Sequence, residues 1–568
     1  MVSQDADAHH VSVYAGPQAI GGRLVIDDSP TFRHPIIAQT LKQADPTFDS
    51  WELGLSPGTL YYVQLQPSGA QASFVLSVPK WTEPYLTYAY AKQAWQTAGR
   101  MWVSQYSGAT WSESQQNWLL NTRWPDASNM AAQDAYFLEY PLRSAINMGL
   151  VQQDIGLLDE IAKFFVAYEP RFTTLGALRK LKTSGLNTAE LTGEGPDSIR
   201  TLPWIMSNQG SPDLVETCYL CTAQFLHPAA RLLRIISTLP AKKRTPSMTA
   251  FAAWYGPLLV EDHLMNILYN APYENRTARW NALCARIPQS GMSDLDLWLL
   301  AATAEIVGAN GNDPAIVHLT LDEQSKLQQA IETGTKLLQL ERTVDQSTRN
   351  FEGSRVGSTS YFNGDDVKLS DYAFSAYTGE SFPVAADASV NVDASWDTSH
   401  VYRLPVALRS LLDNRKVSHL TFPGWMDVQL LANQFAYRVF QGDFGKPLFH
   451  TYFDGGNGWY RVGYHGSNFG YPPAEYCNSP VYRHIYVTYC VQAGAIQGWG
   501  MISFWSPDLL TIQHALLALA ASQDPEAIAF REQYYQYEKP YSFVDDEGRP
   551  QYPTFLLWIL SGVAERLQ

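Results

Sequence analysis

Asn363-Gly364-Asp365-Asp366, Asp371-Tyr372, Trp396-Asp397-Thr398-Ser399-His400-Val401-Tyr402-Arg403 and Asp454-Gly455-Gly456-Asn457-Gly458-Trp459-Tyr460-Arg461-Val462-Gly463-Tyr464-His465 are dense polar-aromatic clusters of one stretch, Arg349–Pro473. The stretch is rich in Gly, Asn, Asp and aromatic rings and poor in helical pattern. Helical pattern lies before it, within it and after it. Long loops inside a helical scaffold are uncommon and usually serve function. The expected arrangement is an α-helical domain with rim loops at 345–400 and 442–480 that carry a site.

Outward from this stretch, helical periodicity begins near Thr82. Ile155, Leu158, Ala162 and Phe165 share one face at helical spacing. Ser211-Pro212-Asp213 and Ser506-Pro507-Asp508 each set a capping Ser before Pro at the first helical position. Thr245-Pro246 is a further start, and Thr320 with Glu323 forms a capping box. The pattern predicts helices at about 83–106, 128–149, 152–168, 212–237, 246–269, 276–286, 293–308, 321–341, 400–413, 422–440, 480–503, 507–521, 525–537 and 553–567. A solenoid would show a repeat of about 34–47 residues, and none is present. Uneven helices with loop length concentrated in one region favour an α/α toroid over residues 81–568, an incomplete barrel of roughly six or seven helical hairpins.

Residues 1–80 read differently. Val11–Tyr14, Arg23–Ile26, Ser50–Leu53, Leu60–Leu65 and Ala72–Val78 are short strands between Pro/Gly turns, the pattern of a small β-sandwich. The run Leu55-Ser56-Pro57-Gly58-Thr59-Leu60-Tyr61 resembles the L-x-P-G-T-x-Y corner of fibronectin type III domains. That resemblance implies a spacer or docking module. With such a module before a toroid, and Asp397-x-Ser399-His400-x-x-Arg403 leading into an inner helix, the chain resembles polysaccharide lyases of the alginate and heparinoid type. The resemblance implies β-elimination at a uronic acid. Many of those lyases also carry a large β-sandwich after the toroid, whereas here helical pattern continues to Ala564-Glu565-Arg566.

The totals narrow the classes. Over 568 residues, 46% are apolar and 17% charged, a folded globular composition. Seventeen Trp and 32 Tyr suit a large core and sugar-stacking clefts alike. A net charge of −15 argues against nucleic acid and against an anionic membrane as partner. The partner expected is a polysaccharide or oligosaccharide. Cys218 and Cys221 sit in the apolar run Val215–Leu226 without the second pair or His that a zinc site needs. No signal peptide is visible, which implies a secreted or periplasmic protein if one has been removed and a cytoplasmic one otherwise.

A lyase needs a base for the C5 proton, an acid for the leaving oxygen and a group that neutralises the uronate carboxylate. His400, Tyr460 and Arg403 are the candidates for these roles, with Arg461 a second clamp. Trp396, Trp459, Tyr464, His465 and Asn363 are candidates for binding substrate. The bland alternative is that His400 packs a helix start capped by Ser399 or Asp397. A glycoside hydrolase would instead use two carboxylates, drawn from Asp366, Asp371 and Asp397. Under the lyase reading, Asp371→Asn and Asp397→Asn are expected to be mild. Calcium is a third use for Asp365, Asp366 and Asp371, but EF-hand spacing is missing, so no metal or cofactor is expected. There is no G-x-S-x-G, H-E-x-x-H or P-loop. A non-catalytic scaffold that binds a glycan or protein through an aromatic loop face is the remaining alternative.

Overall fold

A computed structural model describes residues 87–120, 133–182, 219–269, 275–285, 292–345, 395–459, 498–522 and 524–535. It also describes 2–4, 10–13, 20–27, 35–43, 47–49, 60–66, 70–75, 205–207, 215–217, 359–362, 472–476, 543–544, 550–551 and positions 32, 68, 492 and 496. The protein is mainly helical with a small antiparallel β part at its N-terminal end.

The β part has seven strands: β1 (Val2–Gln4), β2 (His10–Val13), β3 (Arg23–Asp27), β4 (Ile37–Thr40), β5 (Thr47–Asp49), β6 (Leu60–Gln66) and β7 (Ala70–Val75). They form two antiparallel sheets, ordered β1-β2-β5 and β4-β3-β6-β7. In the larger sheet Ile26 faces Val63 and Leu24 faces Leu65 across β3 and β6. The segment Ser50–Leu53, read as a strand, lies outside the described residues.

The helices are α1 (Tyr88–Ala94), α2 (Arg100–Ser107), α3 (Gln133–Val151), α4 (Ile155–Lys182), α5 (Tyr219–Thr238), α6 (Pro246–Pro257), α7 (Met265–Tyr269), α8 (Arg276–Ala285), α9 (Asp294–Asn312), α10 (Leu321–Glu341), α11 (Thr398–Val401), α12 (Arg403–Asn414) and α13 (Trp425–Gln434). Helices Pro507–Ala521 and Pro525–Tyr534 follow. Thr245, Thr320 and Ser506 cap their helices through side-chain acceptors, as their sequence context predicts. Ser211-Pro212-Asp213 lies outside the described residues, and the helix expected from 212 starts later. Val215–Thr217 is a strand paired with Ile205–Ser207, and the helix begins at Tyr219. Val215 and Thr217 are β-branched and suit the strand that stands where helix was expected. Within the expected helix 480–503, Trp499–Trp505 is instead a 3-10 segment preceded by Gly498 at a φ of +78°. Positions 553–567 lie outside the described residues.

Hydrogen bonds fix how α3, α5, α9 and α12 run. In one rung, Tyr140 and Tyr402 hydroxyls meet at 2.9 Å, and Gln224 Oε1 accepts from Trp298 Nε1 at 3.0 Å and from Arg403 Nη2 at 3.4 Å. In the next rung, Arg231 donates to Asn147 at 2.9 Å and to Glu305 at 2.7 Å, and Ser410 donates to Glu305 at 2.7 Å. The steps 140 to 147, 224 to 231, 298 to 305 and 403 to 410 are each seven residues, about two turns. The four helices are therefore parallel, with their N-terminal ends on one side. Helix α9 is buried along Leu295–Asn310, which marks it as the centre of the assembly. Helices α4 and α6 pack against α3 and α5, and α8 packs against α10, which packs on α9.

Candidate functional site

Asp397 and His400 stand at the side where those N-terminal ends gather. Asp397 is fully buried and forms an antiparallel bridge with Tyr452. Around the bridge, Thr398 N–H donates to the Thr451 carbonyl at 2.7 Å and Phe453 N–H to the Trp396 carbonyl at 2.8 Å. Ser395 Oγ accepts from Asp454 N–H at 2.8 Å, and Thr398 Oγ1 donates to the His450 carbonyl at 3.1 Å. The described ends of the two rim loops, 395–398 and 450–454, are thus one paired unit.

This unit launches α11. Asp397 Oδ1 accepts the backbone N–H of His400 at 3.2 Å, a helix cap. The same carboxylate lies 2.9 Å (Oδ1) and 2.8 Å (Oδ2) from Nδ1 of the His400 ring. Nδ1–H is the donor to this carboxylate, so in the neutral ring the lone pair is on Nε2. The imidazole keeps 15% of its surface exposed, whereas its carboxylate partner has none.

The other predicted residues divide sharply. Arg403 is 1% exposed. Its guanidinium is 3.4 Å from Asp294, donates to the His400 carbonyl at 3.4 Å and lies 4.7 Å over the Tyr402 ring. Trp396 and Trp459 are buried. The Trp459 ring stacks on Tyr476 at 5.8 Å, and its carbonyl accepts the Tyr452 hydroxyl at 2.6 Å. The structure brings Trp396, Asp397, His400 and Arg403 into one short segment at the start of α11 and α12 and ties it to the segment that ends at Trp459. Asn363, Asp366, Asp371, Tyr460, Arg461, Tyr464 and His465 lie outside the described residues.

Three neighbours have no role assigned from the sequence, although Asn457 lies within one of the quoted clusters. Asn457 Oδ1 accepts from Thr451 N–H at 3.3 Å, while its Nδ2 donates to Glu475 at 3.0 Å, which locks the second loop. Burial pushes His450 below the usual imidazole range, with Glu475 and Asn457 pulling the other way. Tyr140, from α3, reaches the site through Tyr402. The Tyr140–Tyr402 pairing spans 262 residues and has no local pattern to betray it.

A groove of about 500 Å³ lies elsewhere, lined by Asn117, Trp118, Lys163 and Ser247 among others. Among the described residues no group of three or more His, Cys, Asp or Glu is set to hold a metal, and no helix is long and apolar enough to cross a membrane. No family model matches the sequence, and neither a curated protein nor a solved structure matches it.

Proposed function

We propose that the chain is a carbohydrate-active enzyme that cleaves a polysaccharide by β-elimination at a uronic acid. The Asp397–His400 pair carries this reading. A carboxylate on Nδ1–H orients the ring and stabilises the imidazolium that forms when Nε2 takes a proton. Abstraction of the C5 proton needs such a base. Because Asp397 is committed to the ring and to the helix cap, it serves His400 and not as one of two glycosidase carboxylates.

The parallel run of α3, α5, α9 and α12 supports an α/α toroid with the site at its N-terminal rim. Gathered N-terminal ends also favour a bound carboxylate. Arg403, buried against Asp294, holds the His400 turn, and Arg461 is left as the candidate carboxylate clamp, with Tyr460 as acid. The two antiparallel sheets support a fibronectin type III-like sandwich. Tyr61, the corner tyrosine, is 2% exposed and joins Val11, Val13, Leu24 and Ile26 in the core.

Incubation with uronic-acid and neutral polysaccharides tests the reading. The expected result is the ultraviolet absorbance of an unsaturated uronate, lost in His400→Ala. New reducing ends without that absorbance would mean hydrolysis.

A further inference from the structure

The rungs between the inner helices hold a second set of titratable groups, distinct from Asp397 and His400. Glu139, Arg143 and His227 are 0%, 2% and 0% exposed. Glu139 Oε1 accepts from Arg143 Nε at 2.5 Å and lies 3.9 Å from His227 Nδ1. Glu139 Oε2, Arg143 Nη2 and His227 Nδ1 have no hydrogen-bonding partner among the described residues. A buried polar atom left unpaired destabilises the fold, and this one cluster has three. On the far side of the ring, His227 Nε2 is 3.3 Å from Ser410 Oγ, which is 2.7 Å from Glu305 Oε1. Because Ser410 donates to Glu305, it accepts from Nε2–H, and Nδ1 keeps its lone pair.

We propose that Glu139, Arg143 and His227 enclose a bound water, and that this water joins Glu139 to Glu305 in one proton relay through His227 and Ser410. Glu139 Oε1, already taken by Arg143 Nε, is 3.9 Å from His227 Nδ1, too far for a direct hydrogen bond, so a water serves the unpaired Oε2, Nη2 and Nδ1 atoms. The water accepts from Glu139 Oε2–H and Arg143 Nη2–H and donates to His227 Nδ1, the three bonds typical of a buried water. In the transfer, Glu139 gives its proton to the water, which passes one of its own to Nδ1. Nε2–H goes to Ser410 Oγ, whose own proton goes to Glu305. The imidazole changes tautomer and stays neutral, Glu139 ends ionised and Glu305 ends protonated.

The surroundings agree. Burial pushes the Glu139 carboxyl up, against the pull of Arg143 and Arg403. Burial, then Arg231 and Arg143, hold His227 well below the usual imidazole range, so the ring resists becoming a cation. The charged groups facing the relay are Glu139 and Arg143 on α3, Arg231 and Arg234 on α5, Glu305 on α9, and Arg403 and Asp413 on α12.

Side-chain nitrogen NMR of the full chain, labelled at histidine only, tests this, with His227 assigned by the signal lost in His227→Gln. The expected result is a neutral ring, mainly the Nε2–H tautomer, exchanging with the Nδ1–H tautomer. Ser410→Ala should abolish that exchange. A high-resolution crystal structure should show a water within about 3 Å of Glu139, Arg143 and His227. An imidazolium at neutral pH, a single non-exchanging tautomer, exchange unchanged in Ser410→Ala or a site without water would each overturn the relay. The wild-type measurements decide the matter even if Ser410→Ala does not fold.

Discussion

Both carboxylate oxygens of Asp397 lie within 2.9 Å of Nδ1 of His400, and one of them also caps the helix that carries the ring. One buried carboxylate thus sets the backbone and the tautomer of the same residue. The sequence reading expects Asp397→Asn to be mild under a lyase mechanism, and this contact reverses that expectation. Loss of an acid–base group typically costs about 10²–10⁴-fold. His400→Ala and Asp397→Asn should both fall by about that factor in turnover. Asn caps helices about as well as Asp, so the melting temperature of Asp397→Asn should stay close to wild type. Steady-state rates beside thermal melts would show it, and an active Asp397→Asn with a dead His400→Ala would remove the orienting role.

Glu305 is expected to be the most costly single carboxylate of the inner rungs. It accepts from Arg231 at 2.7 Å, Ser410 at 2.7 Å and Asn414 at 3.0 Å, with no solvent exposure. Glu305→Ala removes the nearer carboxylate of the buried Arg231 guanidinium and leaves it only Asp413, at 3.7 Å. Breaking such a pair costs about 3–5 kcal/mol. Denaturant titration should show that loss, and a change under about 1 kcal/mol would mean that water reaches the rung.

Gly308→Ala probes the contact of α9 with α12. An added Cβ would lie 1.8 Å from Asn414 Oδ1 and 2.5 Å from its Cγ. Asn414 cannot simply swing aside, because it donates to Glu305 at 3.0 Å and to the Ser410 carbonyl at 2.8 Å. Overpacking of this kind costs about 1–3 kcal/mol. Gly311→Ala meets only the Val417 side chain, at 2.2 Å, and should be the milder of the two in thermal melts.

The sequence carried the elements whose signals are local. Thr245, Thr320 and Ser506 announce their helices because cap and first turn are contiguous. The hairpin Ala109–Ser112 with Asn117–Leu120 went unseen between helical segments. Its turn has no Gly, Pro, Asn or Asp, and Gln116 takes the positive φ of 48° that such a residue would normally supply. At the site, the three-residue spacing of His400 and Arg403 puts both on one face of a helix start. It could not say that this face points inward for Arg403, because that depends on Asp294 and Gln224 from other helices. Tyr140 is silent for the same reason, since its partner Tyr402 is 262 residues away.

The pH dependence of stability should turn on Glu341. It is 7% exposed at the end of α10, and burial pushes its carboxyl up to about 8. Met292 N–H and Arg279 oppose the shift, while Asp296 adds to it. A folded value above the unfolded one means that the folded chain holds the proton longer. Its contribution is fully present below about pH 4.5 and is lost as pH rises to about 8, amounting to about 3 kcal/mol by pH 7. His263 works the other way, because burial pushes it down to about 4. Below about pH 6.5 the unfolded chain takes up that proton first, so stability falls as pH drops toward 4. From these two groups, stability is level between about pH 4.5 and 6.5 and declines from there to about 8. Glu341→Gln keeps an acceptor for Met292 N–H, which now reaches Oε2 at 3.2 Å, and removes the titration. The variant should therefore match wild type near pH 5 and exceed it increasingly up to pH 8. Denaturant curves across that range measure the difference, and a difference that does not grow with pH would mean that Glu341 is ionised in the folded protein.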